Sequence, residues 1–194
     1  MRKIVVTEFI SLDGVIDSPG GDNDFIRGAW TFKLQDPEGY AYKLEELRTH
    51  DALLLGRLTY EGFAAAWPGR SDEAGFADRM NSMTKYVVST TLDQDALTWE
   101  NSTLISENVA EELARIKEGP GGDILVAGSG ALVRTLLAHD LVDEYRLMVF
   151  PIVLGAGKKL FGDTDDSVVL DLVDSKVLDS GTLILTYHPA RAAA

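Results

Sequence analysis

The sequence predicts an α/β fold: a mostly parallel central sheet flanked by helices on both faces and closed by C-terminal antiparallel strands. Three observations predict it. Ala52 to Leu55 is a short, wholly apolar run of the kind buried on both faces of a parallel sheet. Strand and helix signals alternate through the first two-thirds of the chain. After Asp140 the helical signals stop, and β runs follow one another with no helix between them. With 194 residues, 45% of them hydrophobic, the chain can bury one sound core without metal or disulfide support. Residues 1–189 are therefore expected to form a single domain, with 190–194 as a flexible tail.

Taken in order, Lys3 to Ile10 is a β-rich run that ends in the turn Ser11-Leu12-Asp13-Gly14. A Gly-, Asp- and Pro-rich loop follows from Asp17 to about Asp24, and irregular chain continues to Asp36. Asp36-Pro37-Glu38 combines an N-cap, a first-turn proline and an acid suited to the helix dipole. That helix carries Tyr40, Leu44 and Leu47 on one face and ends near His50. The Ala52–Leu55 run breaks at Gly56 into a helix from about Thr59 to Ala66. Tyr86 to Ser89 and Thr103 to Ile105 read as further short strands. Asn108 caps a helix lined by Val109, Leu113 and Ile116, which Gly119-Pro120 stop. A strand from Asp123 then meets Gly128-Ser129-Gly130 and a helix. Glu144 to Val153 is a long β run; Val168 to Val173 and Lys176 to Tyr187 are expected as two more strands.

Charge and composition exclude several function classes. A net charge of −13 repels phosphate backbones, which argues against nucleic acid and anionic membranes as partners. Any phosphorylated ligand must then be met by local amides and a few well-placed arginines. The absence of cysteine removes disulfides, thiolate metal sites and cysteine nucleophiles. His50, His139 and His188 lack metal-ligand spacing, so no metal is expected. Met1-Arg2-Lys3 leads straight into a strand without a signal-peptide pattern, and no apolar run approaches the ~20 residues that span a bilayer. The expectation is a soluble cytoplasmic protein.

Three strand ends carry groups suited to an anion. At Gly128-Ser129-Gly130 a strand turns directly into a helix, whose first amides (Gly130, Ala131, Leu132) point outward with no bulky side chain over them. At Gly56-Arg57-Leu58-Thr59, a glycine again precedes a helix, beside a guanidinium fork and a hydroxyl. At Ser89-Thr90-Thr91, hydroxyls cluster just past a strand. Each alone is equally an ordinary turn or cap. All three fall on the edge where open α/β sheets bind ligands, and a nucleotide lying across that edge would explain them together. Neither common nucleotide fingerprint is intact: Val133 stands where a third Rossmann glycine belongs, and no Gly-Lys-Ser/Thr triplet exists. Ala127, two residues before Ser129, argues against a hydrolase elbow there.

These motifs, in this order and over nearly the whole chain, resemble the dihydrofolate reductase-like superfamily, and more closely the branch containing the reductase domain of riboflavin biosynthesis. Thr7 to Ile16 (TEFISLDGVI) is similar to the family's first strand and turn. Gly56-Arg57-Leu58-Thr59-Tyr60-Glu61 is similar to its phosphate-contacting segment, Ser89-Thr90 to its adenosine-ribose contacts, Ala127 to Ala131 to its pyrophosphate turn, and Pro151 to Phe161 to a segment of the riboflavin branch. The family often has an unusual peptide bond in that turn, where this chain has Gly128-Ser129. The resemblance implies NADPH as hydride donor, a pteridine, pyrimidine or similar heterocycle as acceptor, and a homodimer. It implies that Gly56, Arg57, Thr59, Ser89, Thr90, Gly128, Ser129, Gly130, Ala131 and Leu132 hold the cofactor. Phe9, Ile10 and Leu12 would wall the acceptor, bordered by Trp30 and by Leu154, Gly155 and Gly157.

The pterin-gripping carboxylate of folate reductases has no clear counterpart here; Glu38, Gly39 and Tyr40 compete for its place. Asp13 is the alternative acid, although an Asp-Gly pair also simply makes a turn. A non-catalytic nucleotide- or small-molecule-binding protein of the same fold is the rival expectation. The bifunctional riboflavin enzyme is not expected, because no deaminase segment with zinc-ligand cysteines is present.

Overall fold

In the computed structural model, which describes residues 1–21, 24–162 and 167–190, strands and helices are interleaved as far as Ala138. The elements are β1 (Ile4–Ser11), α1 (Pro37–Thr49), β2 (Ala52–Gly56), α2 (Arg57–Ala66), α3 (Phe76–Ser82), β3 (Thr84–Val88), β4 (Ser102–Ile105), α4 (Val109–Glu118), β5 (Ile124–Val126), α5 (Gly130–Ala138), β6 (Glu144–Phe150), β7 (Leu170–Val177) and β8 (Leu183–Pro189). The strands form one eight-stranded sheet in the order β4-β3-β2-β5-β1-β6-β8-β7. From β4 to β6 every neighbouring pair is parallel; β8 runs antiparallel to β6, and β7 antiparallel to β8.

Helices cover both faces because the central strands are apolar on both. On one face Ile4, Val6, Leu54, Ile124 and Val126 pack against Leu113 of α4 and Leu132, Val133 and Leu136 of α5. On the other, Val5, Leu53, Leu55, Val87 and Leu125 meet Leu47 of α1, Tyr60 of α2 and Met80 of α3. Each fully buried leucine of these layers contributes about 1.5–3 kcal/mol. A third cluster joins Val15, Trp30, Phe150, Leu154 and Leu178 beside the C-terminal end of β6.

The predicted fold class stands; several details need correction. The C-terminal hairpin turns at 178–182, not between Val173 and Lys176. There Gly181 has φ +81°, its amide donates to the Leu178 carbonyl, and Leu178 donates to Thr182. β6 stops at Phe150, short of Val153. α2 begins at Arg57, two residues early. Tyr40 stays half exposed, stacked on Phe76, instead of joining Leu44 and Leu47 in the core. The tail from Arg191 lies outside the described residues, as do two positions of the Asp17–Asp24 loop; Ala190 itself donates to the Val169 carbonyl.

Candidate functional site

β1 pairs with β5 only as far as Val6 opposite Val126, but with β6 as far as Ser11 opposite Phe150. Beyond Val6 the sheet therefore forks. The parallel register puts the C-terminal ends of β3, β2 and β5 side by side on one edge, and the turn after β5 comes up against the forked part of β1. The three predicted anion turns thus share one rim of the sheet.

Two of these turns are fastened together. The Gly56 amide donates to the Gly128 carbonyl at 3.0 Å. A β-carbon on Gly56 would lie 2.3 Å from Ser129 Oγ and 3.1 Å from its backbone nitrogen, so this approach requires glycine. Gly128 has φ +101°, and a β-carbon there would come within 2.8 Å of Thr59 Oγ1. The Gly128–Ser129 peptide is cis. Gly56 and Ser129 are the N-caps of α2 and α5. Neither helix has a side-chain cap or an acid in its first turn, so both positive ends face the ledge uncompensated.

The remaining predicted contacts fare unevenly. Arg57 is exposed at the start of α2 and ion-paired with Glu61 at 3.1 Å. Thr90 is exposed, whereas Ser89 is buried and its hydroxyl accepts from the amides of Thr91 and Leu92, both at 3.1 Å. Ser89 therefore shapes its turn, with its hydroxyl already engaged. Leu132 puts its side chain into the core, leaving only backbone for the ledge; Ala131 is exposed.

Two expected acceptor-side residues need correction. Trp30 covers no ligand: it is fully buried, packs edge-on against Phe150 at 5.3 Å, and donates through Nε1 to the Asp17 carbonyl at 3.0 Å. Asp13 is spent as a clamp. Its carboxylate accepts from Ser11 Oγ at 2.7 Å and from the amides of Leu154 at 3.0 Å and Gly155 at 2.7 Å. These bonds, Ser11 first, hold it at about 2, so at neutral pH it has no proton to give. The clamp does join the first turn to the segment holding Leu154 (buried), Gly155 (φ +71°) and Gly157 (φ +114°). Leu12 is exposed nearby, and Phe9 is half buried, edge-on to Phe150. Glu38 pairs with Lys176 at 2.6 Å on the surface.

The carboxylate that α1 does bring to the sheet is Glu46, which sequence reasoning missed. It is buried, accepts from Thr7 Oγ1 at 2.9 Å, and is held by Lys43 at 2.5 Å and Arg146 at 3.7 Å. Lys43 also donates to Thr7 and lies 5.2 Å over the Phe9 ring.

A second missed residue, Glu8, lies on the other face of β1. It is 8% exposed, and its Oε1 has no hydrogen-bond partner among the described residues. That atom lies 3.6 Å from where a Gly128 β-carbon would stand, beside Thr59. Burial pushes the Glu8 carboxyl up to about 8, against the opposing pull of the Lys43 ammonium. The signal was available: at a period of two, Ile4, Val6 and Ile10 are apolar and Glu8 interrupts them. A surface cavity lined by Leu137, Tyr145, Phe161 and Leu170 lies toward the opposite rim and brings no charged group to the ledge.

Comparison with known proteins agrees with this architecture. A family model, the RibD C-terminal domain, matches residues 2–184. Uncharacterized protein YyaP of Bacillus subtilis is 31% identical, with 96% of this chain aligned to 95% of that protein. YwjB of the same organism is also 31% identical, over 90% of this chain and 91% of its own. Among solved structures, a putative riboflavin biosynthesis protein from Shewanella is 25% identical with a TM-score of 0.74, covering 98% of this chain and 100% of that one. Dihydrofolate reductase from Enterococcus faecalis, complexed with NADP(H), shares the fold at 20% identity and a TM-score of 0.63, over 97% of each chain.

Proposed function

Because this chain belongs to the RibD C-terminal domain family, we propose that it is an NADPH-dependent reductase acting on a small heterocycle of the pteridine or pyrimidine kind. The observation that carries this reading is the ledge: Gly56, at the end of β2, and Gly128, in the turn after the neighbouring β5, joined by a 3.0 Å hydrogen bond at two uncapped helix ends. Such an edge suits a pyrophosphate, because backbone amides and helix dipoles meet it without the desolvation cost of a buried cation. Two further observations support the fit. The space above Gly128 is one that a single β-carbon would bring into contact with Thr59, and the ledge offers amides on an otherwise strongly acidic chain.

In this reading Gly56, Thr59 and residues 128–132 hold the pyrophosphate region, with Arg57 and Thr90 at its outer end. When bound, NADPH supplies the hydride. Phe9, Leu12 and the Leu154–Gly157 turn exclude water and orient the acceptor, so that the chain contributes chiefly positioning. We place this activity in the cytoplasm. No helix among the described residues is long and apolar enough to cross a membrane.

A homodimer completes the proposal. β7 ends the sheet with Leu172, Val173 and Val177 more than half exposed, and such an edge strand calls for a covering partner. Sedimentation should give twice the chain mass; a monomer at working concentration would refute this part.

The function itself is tested by NADPH fluorescence, read with and without a panel of oxidised pteridines and pyrimidines. Saturable binding followed by acceptor-dependent oxidation is expected. Tight binding with no oxidation by any acceptor would favour the non-catalytic rival, and no saturable binding would overturn both.

A further inference from the structure

Glu8 is a carboxylic acid placed where the core expects an aliphatic side chain. Burying an unpaired carboxylate is costly, and the cost falls only if the group is protonated or finds a cation. Among the described residues no cation forms an ion pair with it, and Lys43 is engaged by Thr7 and Glu46. Yet its free oxygen is directed to a place where the sheet opens, the fork between β1 and the Gly128 turn. A residue serving packing alone would be apolar here, as Val6 and Ile10 are.

Resting on the reading of the ledge as a dinucleotide site, we propose that Glu8 is a ligand-contacting residue of that site, presenting an uncharged carboxyl group whose O–H donates to the bound dinucleotide at the Gly128 turn. Among the described residues, Thr59 from α2, the Gly128 turn after β5 and Leu147 opposite it on β6 lie beside it, and these three are uncharged. Lys43 of α1 is the charge that acts on it from the helix layer. With burial holding its carboxyl near 8, Glu8 is a donor at neutral pH and becomes a repelling anion above it. Each dinucleotide bound above about pH 8 must then bring one proton with it.

The test is an NADPH fluorescence titration of wild type and Glu8→Gln from about pH 6.5 to about 9.5, where a single linked proton sets the slope. Wild-type Kd should be flat below about pH 8 and weaken toward about tenfold per pH unit above it, while Glu8→Gln stays flat throughout. In parallel, NMR of isotope-labelled glutamate in the wild-type protein should show one carboxyl titrating near 8, moving higher with NADPH. This second readout stands even if the variant folds poorly. Equal pH dependence of NADPH binding in wild type and Glu8→Gln, or a Glu8 carboxyl titrating near its ordinary 4.5, would overturn the inference while leaving the ledge intact. Absence of saturable NADPH binding by wild type at every pH would remove the ledge reading and this inference with it.

Discussion

The amide of Gly56 donates to the carbonyl of Gly128 at 3.0 Å, so the turns that end β2 and β5 are one continuous surface. A β-carbon at Gly56 would enter Ser129, and although the Ser129 hydroxyl can rotate away from 2.3 Å, its backbone nitrogen at 3.1 Å cannot. Gly56→Ala should therefore cost about 1–3 kcal/mol in urea unfolding, as overpacking does. It should also weaken NADPH about tenfold, which is ~1.4 kcal/mol. Unchanged Kd would mean that the two turns need not close.

Glu8 should make stability fall with rising pH. Its carboxyl is raised from 4.5 to about 8 in the folded chain. Between those values the unfolded chain has lost the proton and the folded chain keeps it, so the folded state loses ~1.4 kcal/mol per pH unit. Glu8→Gln removes this dependence. Its stability relative to wild type should rise by about 2–4 kcal/mol from pH 4.5 to pH 7 in denaturant unfolding. A constant difference across that range would show that Glu8 is ionised when folded.

Asp13 has the opposite sign. Its bonds to Ser11, Leu154 and Gly155 depress its carboxyl from 3.8 to about 2, so its stabilisation is present above 3.8 and is lost as the pH falls toward 2. Asp13→Ala should destabilise by about 1–3 kcal/mol and speed amide exchange at Leu154 and Gly155. NADPH affinity should change less than about twofold, well under the ~1.4 kcal/mol of a tenfold loss. A large loss of NADPH affinity in a stable Asp13→Ala would return this residue to the site.

Arg57 shares its guanidinium with Glu61, an exposed i,i+4 pair worth only about 0.3–0.5 kcal/mol. A phosphate can therefore compete for the fork. Arg57→Ala should weaken NADPH far more than NADH in paired titrations, and Glu61→Gln should tighten NADPH slightly. Equal loss for both cofactors would move Arg57 to the pyrophosphate.

The parallel half of the fold was legible because its central β2 and β5 are short apolar runs that break at or just before a glycine, which admit little besides a doubly covered sheet. The C-terminal hairpin was not, because β7 is exposed along almost its whole length and no hydrophobic alternation marks its ends. α3 escaped notice because its cap is not adjacent to it: Asp72 reaches forward to the amides of Phe76 at 3.0 Å and Ala77 at 2.6 Å. The ledge was readable from glycines at strand ends. Its floor was not: Glu8 looked like one polar residue in a β run, and only the fork in the sheet gives it meaning. Trp30 was misjudged because a loop tryptophan covers a ligand or fills a core according to contacts such as Phe150, far away in sequence.

The most direct measurement is a fluorescence titration with NADPH of wild type beside Gly128→Ala, each checked for native circular dichroism. A β-carbon at Gly128 would press on Thr59 at 2.8 Å and fill the seat above the turn. Wild type should bind one equivalent per chain, and the folded variant should bind at least about tenfold more weakly, a difference of ~1.4 kcal/mol. Absence of saturable binding in wild type, or unchanged affinity in folded Gly128→Ala, would contradict the account.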